Sequence, residues 1–110
     1  MNQSTITIDV ALDENRIPQT IRWNATESSA DQAKIAKAMM LAFWDGADKT
    51  ALRVDLWTKD MMVDEMTDFF YQTLLTMADT FEKATGENLI TEDLRDYCHH
   101  FAEKMEILPE

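Results

Sequence analysis

The residues best suited to chemistry in this chain run consecutively: Cys98, His99 and His100, with Asp96 and Glu103 close by. A zinc site needs Cys and His ligands converging on one ion. Successive residues on a helix point about 100° apart, so these three cannot converge. Cys98 falls on an apolar stripe, and both histidines face away from it. Asp96 with His100, and His99 with Glu103, share faces at i,i+4, a spacing that suits an exposed ion pair as well as a weak metal site. With so few ligands, neither a metal nor a cofactor is expected. Nucleophilic catalysis needs a nucleophile, a base and an orienting group within reach of each other. Ser4 sits in the first residues, Ser28 and Ser29 at an expected helix start, and Cys98 reads as a small core hydrophobe. Carboxylates are so abundant that paired ones carry no information. The two glycines, Gly46 and Gly86, stand alone, whereas a phosphate-cradling loop needs several. No catalytic constellation emerges, and the chain is expected not to be an enzyme.

Composition sets the frame. A chain of 110 residues with 45% hydrophobic content suits one globular domain over residues 1–110. A single cysteine cannot close an internal disulfide, which argues against a small secreted fold. The opening Met1-Asn2-Gln3-Ser4-Thr5 has no basic and apolar leader pattern. The longest apolar run, Ala38 to Trp44, is far too short to span a bilayer. The expected location is cytoplasmic, without membrane insertion. A net charge of −11 repels phosphate backbones and anionic lipid, so nucleic acid is not an expected partner unless the chain imitates DNA. The plainer consequence of that charge is solubility.

Hydrophobic periodicity gives the elements. Ile6, Ile8, Val10 and Leu12 alternate with polar residues, which predicts a half-buried strand. Asp13-Glu14-Asn15 predicts a turn. Ile17, Ile21 and Trp23 predict a second strand, which Pro18 restricts to an edge or to starting at that residue. Ser29 and Gln32 have capping-box spacing, and predict a helix from Ser28 to about Trp44 with Gly46 as its C-cap. Its main apolar face holds Ala33, Ala36, Met40, Phe43 and Trp44. Leu52, Val54 and Leu56 predict a third strand. Asp60 is the expected N-cap of a long helix ending near Ala84 before Gly86. A last helix is expected to begin after Thr91, with a stripe of Leu94, Tyr97, Cys98, Phe101 and Met105. The order ββαβαα predicts an α+β fold, a small antiparallel sheet with three helices packed on one face.

Two surface features suit binding rather than catalysis. Tyr71 and Leu75 touch at i,i+4 on the side of the long helix that also carries Asp64, Asp68 and Glu82. They form either a small docking patch or the seat of the last helix. Eight methionines either fill an irregular core or line an adaptable binding surface.

The block Leu52-Arg53-Val54-Asp55-Leu56-Trp57-Thr58-Lys59-Asp60-Met61, continued by Val63-Asp64-Glu65-Met66, resembles the gliding motility protein GldC family of Bacteroidota. The likeness extends through Phe69-Phe70, Gln72-Thr73-Leu74, Ala78-Asp79-Thr80-Phe81 and Ala84-Thr85. It includes Leu12 to Asn15, Ile17-Pro18, Ile21-Arg22-Trp23, Met40-Leu41 and Trp44-Asp45, so it covers nearly the whole chain. The resemblance implies an accessory role in gliding on surfaces and brings no catalytic residues with it. Inside the block, Trp57 alternates away from Leu56. It is either an exposed aromatic anchor for a partner or covered by Lys59 and the following turn. The expected function is an adaptor or assembly factor binding a protein partner through Trp57, Tyr71 and Leu75, with a homodimer compatible. The alternative is an acidic, export-chaperone-like protein that holds unfolded clients.

Overall fold

The computed structural model describes residues 3–26 and 32–107. Its elements are β1 (Ile6–Leu12), β2 (Pro18–Ala25), β3 (Lys34–Ala36), β4 (Ala38–Asp45), β5 (Thr50–Trp57), α1 (Val63–Thr85) and α2 (Asn88–Lys104). The fold is α+β, but the expected order ββαβαα with three helices is wrong: among the described residues five strands precede two helices. The chain divides into two compact units, Met1–Met61 and Met62–Glu110, so the strands form one body and the helices another.

In the first unit, β2 lies between β1 and β3 in an antiparallel sheet. The register sets Ile8 opposite Trp23 and Val10 opposite Ile21, with Ile21 opposite Ala36 on the far side. One sheet face therefore collects the apolar side chains, and Ile21 at its centre is 1% exposed. Pro18 starts its strand, where a missing N–H does not break the ladder. The β1–β2 turn is held by Asp13, whose Oδ1 accepts from the amides of Asn15 at 2.8 Å and Ile17 at 3.0 Å. Lys59 Nζ reaches the other oxygen of Asp13 at 2.5 Å, tying this turn to the segment after β5.

The stretch expected to be a helix from Ser28 to Trp44 is β3 and β4 instead. Its capping residues Ser28 and Ser29 lie outside the described residues. From Ala38 to Asp45 every residue pairs with β5, Ala38 opposite Trp57 through Asp45 opposite Thr50. An unbroken apolar run has no period, so it fits a strand with apolar groups on both faces as well as a buried helix. The turn decides between them. Asp45 Oδ1 accepts from the amides of Ala47 at 2.9 Å and Asp48 at 3.2 Å, and Lys49 takes φ 54°. Gly46 thus belongs to a hairpin turn and caps no helix. At Lys37, between β3 and β4, the chain passes from one sheet into the other. Thr58, 3% exposed, fixes that corner: its amide donates to the Lys37 carbonyl at 2.8 Å, and its hydroxyl lies 3.1 Å from the same oxygen.

The second unit is a helix pair joined at Gly86, whose φ of 73° ends α1 in the left-handed conformation that glycine adopts freely. Asp60 is not the N-cap of α1, because its carboxylate is engaged by the Thr58 hydroxyl. Met62 occupies the cap position, and Glu65 Oε1 accepts from its amide at 3.0 Å. α2 begins at Asn88, earlier than expected. Thr91 lies inside it, fully buried, with its hydroxyl donating to the Glu87 carbonyl at 2.6 Å. The pair closes on small side chains: Ala78 from α1, and Thr91, Cys98 and Ala102 from α2, are all buried. On one flank Arg95 of α2 bridges to Asp79 at 2.9 Å and Glu82 at 2.8 Å of α1, and to Glu92 at 2.7 Å. The hydrogen bonds that the guanidinium donates to Glu82, then to Asp79 and Glu92, raise its pKa above the ordinary value. Among the described residues, no helix is long and apolar enough to cross a membrane.

Candidate functional site

The groups suited to chemistry are dispersed or inert. Cys98 is fully buried, and burial pushes its thiol pKa up, which keeps it protonated and a poor nucleophile. His99 and His100 are exposed, and the His100 ring lies 5.9 Å from that of Tyr97. Among the described residues, no three His, Cys, Asp or Glu side chains gather closely enough to hold a metal. Asp13 and Asp60 have carboxyl pKa values below the ordinary range. The Lys59 contact and two backbone amides lower the first, and the Thr58 hydroxyl chiefly lowers the second. Both are accounted for by structure, one in a turn and one after the corner.

The β4–β5 hairpin stands out because its side chains have so little cover. Strand alternation puts Met39, Leu41 and Phe43 on one face, opposite Leu56, Val54 and Leu52. All six are apolar, and Phe43, Leu52 and Val54 are 60%, 52% and 47% exposed. The other face carries Trp44 and Trp57, 68% and 57% exposed, at opposite ends of the hairpin. Between them lie Met40, Ala42 and the Arg53–Asp55 ion pair at 2.8 Å. Trp57 adjoins the buried Thr58, so its backbone is pinned while its ring meets solvent. Lys59, the residue that would have covered it, is directed to Asp13 instead.

Tyr71 and Leu75 lie in the second unit and Trp57 in the first. Both α1 residues are half-buried. With Ala78 and Glu82 they fall on the stripe of α1 that faces α2, as the buried Ala78 and the Glu82–Arg95 bridge locate it. Trp44 and Phe43 were missed as surface aromatics because their segment read as a helix. The alternation of Leu52, Val54 and Leu56 just after Asp45-Gly46 was the available signal for a hairpin.

The first unit also holds an apolar recess of about 240 Å³, lined by Ile8, Ile21, Trp23, Met39 and Met40 among others. Two of the eight methionines thus border a cavity.

The family described as gliding motility-associated protein GldC-like matches residues 18–107, as the resemblance around Asp55 to Met66 implied. No curated protein and no solved structure matches the chain.

Proposed function

We propose that this chain, which belongs to the GldC-like family of gliding motility-associated proteins, serves gliding as an adaptor or assembly factor that binds another protein through the β4–β5 hairpin. The observation that carries this is the exposure of Trp57, on a backbone pinned by Thr58. Aromatic side chains on rigid backbone make strong anchors, because large apolar area is buried with little loss of conformational freedom. Trp44 and Phe43 extend the surface. Tyr71 and Leu75 serve the helix pair rather than this surface. The role is non-catalytic, a view supported by the protonated, enclosed Cys98. The test is complementation of a gliding bacterium that lacks the protein. Trp57→Ala is expected to fold, as judged by circular dichroism, yet fail to restore spreading. Full restoration by Trp57→Ala would remove the anchor.

An alternative role, export-chaperone-like holding of unfolded clients, is supported by the recess with Met39 and Met40 at its edge. It requires the folded protein to bind an apolar dye and to slow aggregation of unrelated clients. Absence of both activities would exclude it.

A further inference from the structure

The strand β5 has an open side. It pairs with β4 in a sheet of two strands, so among the described residues no strand pairs with its outer edge. The Thr58 amide donates to the Lys37 carbonyl at 2.8 Å, and this pair continues the register that sets Ala38 opposite Trp57. Backbone groups along an antiparallel strand alternate in direction. Leu52, Val54 and Leu56 therefore turn their amides and carbonyls towards β4, as Thr58 does towards Lys37. Those of Ala51, Arg53, Asp55 and Trp57 turn the other way, along the open edge. Such an edge is a template for a further strand, because the incoming backbone satisfies every outward amide and carbonyl at once.

Charge selects the strand that fits. Among the described strands only β5 carries charges of both signs, Arg53 and Asp55; β1 has Asp9 alone, β2 Arg22, β3 Lys34 and β4 Asp45. Arg53 and Asp55 flank Val54 and share one face of the strand, where they bridge at 2.8 Å. We infer that β5 pairs with β5 of a second copy, antiparallel about a two-fold axis at Val54, to make one sheet in the order β4–β5–β5–β4. This register sets Arg53 of each copy opposite Asp55 of the other, so four charges alternate around the axis. It also fits the backbone, since outward-turned residues meet outward-turned residues: Arg53 meets Asp55, and Ala51 meets Trp57. On the other face Val54 meets Val54 and Leu52 meets Leu56, apolar against apolar. Moving the axis to Arg53 or to Asp55 sets like charges directly opposite, which is destabilising. An axis between two residues sets outward groups against inward ones and closes no ladder. The pairing goes beyond the adaptor role and stands apart from it. It uses the edge of the hairpin, and the small Ala51 opposite Trp57 leaves that ring open to a partner.

Size-exclusion chromatography with light scattering on the full chain tests this. The expected mass is twice 12.7 kDa. Arg53→Asp sets Asp55 of each copy opposite a second acid, and Asp55→Arg sets Arg53 opposite a second cation. Each variant alone, folded by circular dichroism, is expected to weaken the dimer by at least about tenfold. Mixed in equal amounts, the two are expected to dimerise with each other, because every charge then meets its opposite. Amide hydrogen exchange of the unaltered protein, resolved by residue at two concentrations, gives a second readout that does not depend on a variant folding. Protection should rise with concentration at Ala51, Arg53, Asp55 and Trp57 and stay constant at Leu52, Val54 and Leu56. A monomer at every concentration would overturn the inference. So would a dimer that survives both single variants, a mixture that dimerises no better than its components, or concentration-dependent protection confined to residues outside β5.

Discussion

Residues 1–61 carry nine acidic and seven basic side chains, whereas residues 62–110 carry twelve and three. The strand unit is nearly balanced and pairs its charges locally, Asp13 with Lys59 and Arg53 with Asp55. The helical unit is strongly acidic, and its Arg95 bridges Asp79, Glu82 and Glu92 on one flank. Burial differs in the same way. The strand unit centres on one large side chain, Ile21, while the helical unit closes on Ala78, Cys98, Ala102 and Thr91. Small buried residues let two helices approach closely but leave the large ones outside. The contrast separates two kinds of exposed apolar surface. On the β4–β5 hairpin, aromatics stand beside an ion pair, as at the rim and core of a partner-binding patch. On the helix pair, Val63, Met77, Ile90 and Tyr97 are exposed, and Asp93 lies on the same face of α2 as Ile90 and Tyr97.

The largest way to disturb the comparison is to empty the strand unit's core. Ile21→Ala should cost about 2–5 kcal/mol, read as a lower urea midpoint. A loss no greater than that of a surface substitution would mean Ile21 is not the centre of that unit. Thr58→Val should cost about 1–3 kcal/mol by removing a buried hydroxyl from the Lys37 corner. If the corner is incidental, the midpoint will not move. On the helical side, Gly86→Ala should cost about 1 kcal/mol. A Cβ there meets nothing within 4 Å, so the whole cost is the left-handed φ of 73°. Stabilisation by this variant would show that α1 need not end there.

The smallest effect is pH dependence confined to the strand unit. Asp13 and Asp60 have folded pKa values below their unfolded ones. Their stabilisation is present above the unfolded value, near 3.9, and is lost as pH falls through the lowered folded values. Between pH 7 and pH 5 neither contributes a slope. Asp13→Asn should flatten the acid limb of the stability profile, and an unchanged limb would show that the Lys59 contact has no weight.

How far the sequence was legible follows the same division. β1 was readable because Ile6, Ile8, Val10 and Leu12 alternate without interruption. The end of α1 was readable because Gly86 is one of only two glycines and follows a long periodic stretch. The segment from Ala38 to Trp44 was not, since apolar side chains on both sides of a strand erase the alternation that would identify it. Asp60 misled as a cap because its carboxylate was taken up by a hydroxyl two residues earlier, a contact no local pattern announces. Trp57 was legible as a candidate from alternation alone. Its exposure depended on Lys59 turning to Asp13, 46 positions earlier in the chain. Which sides of α1 and α2 adjoin became visible only through the bridges of Arg95 to Asp79 and Glu82.

Anchoring of a protein partner by Trp57 is most directly tested by affinity purification of the tagged protein from a gliding bacterium, read by mass spectrometry beside folded Trp57→Ala. One specific partner is expected with the unaltered protein, and its loss with the variant. Equal recovery of that partner by both proteins would contradict it.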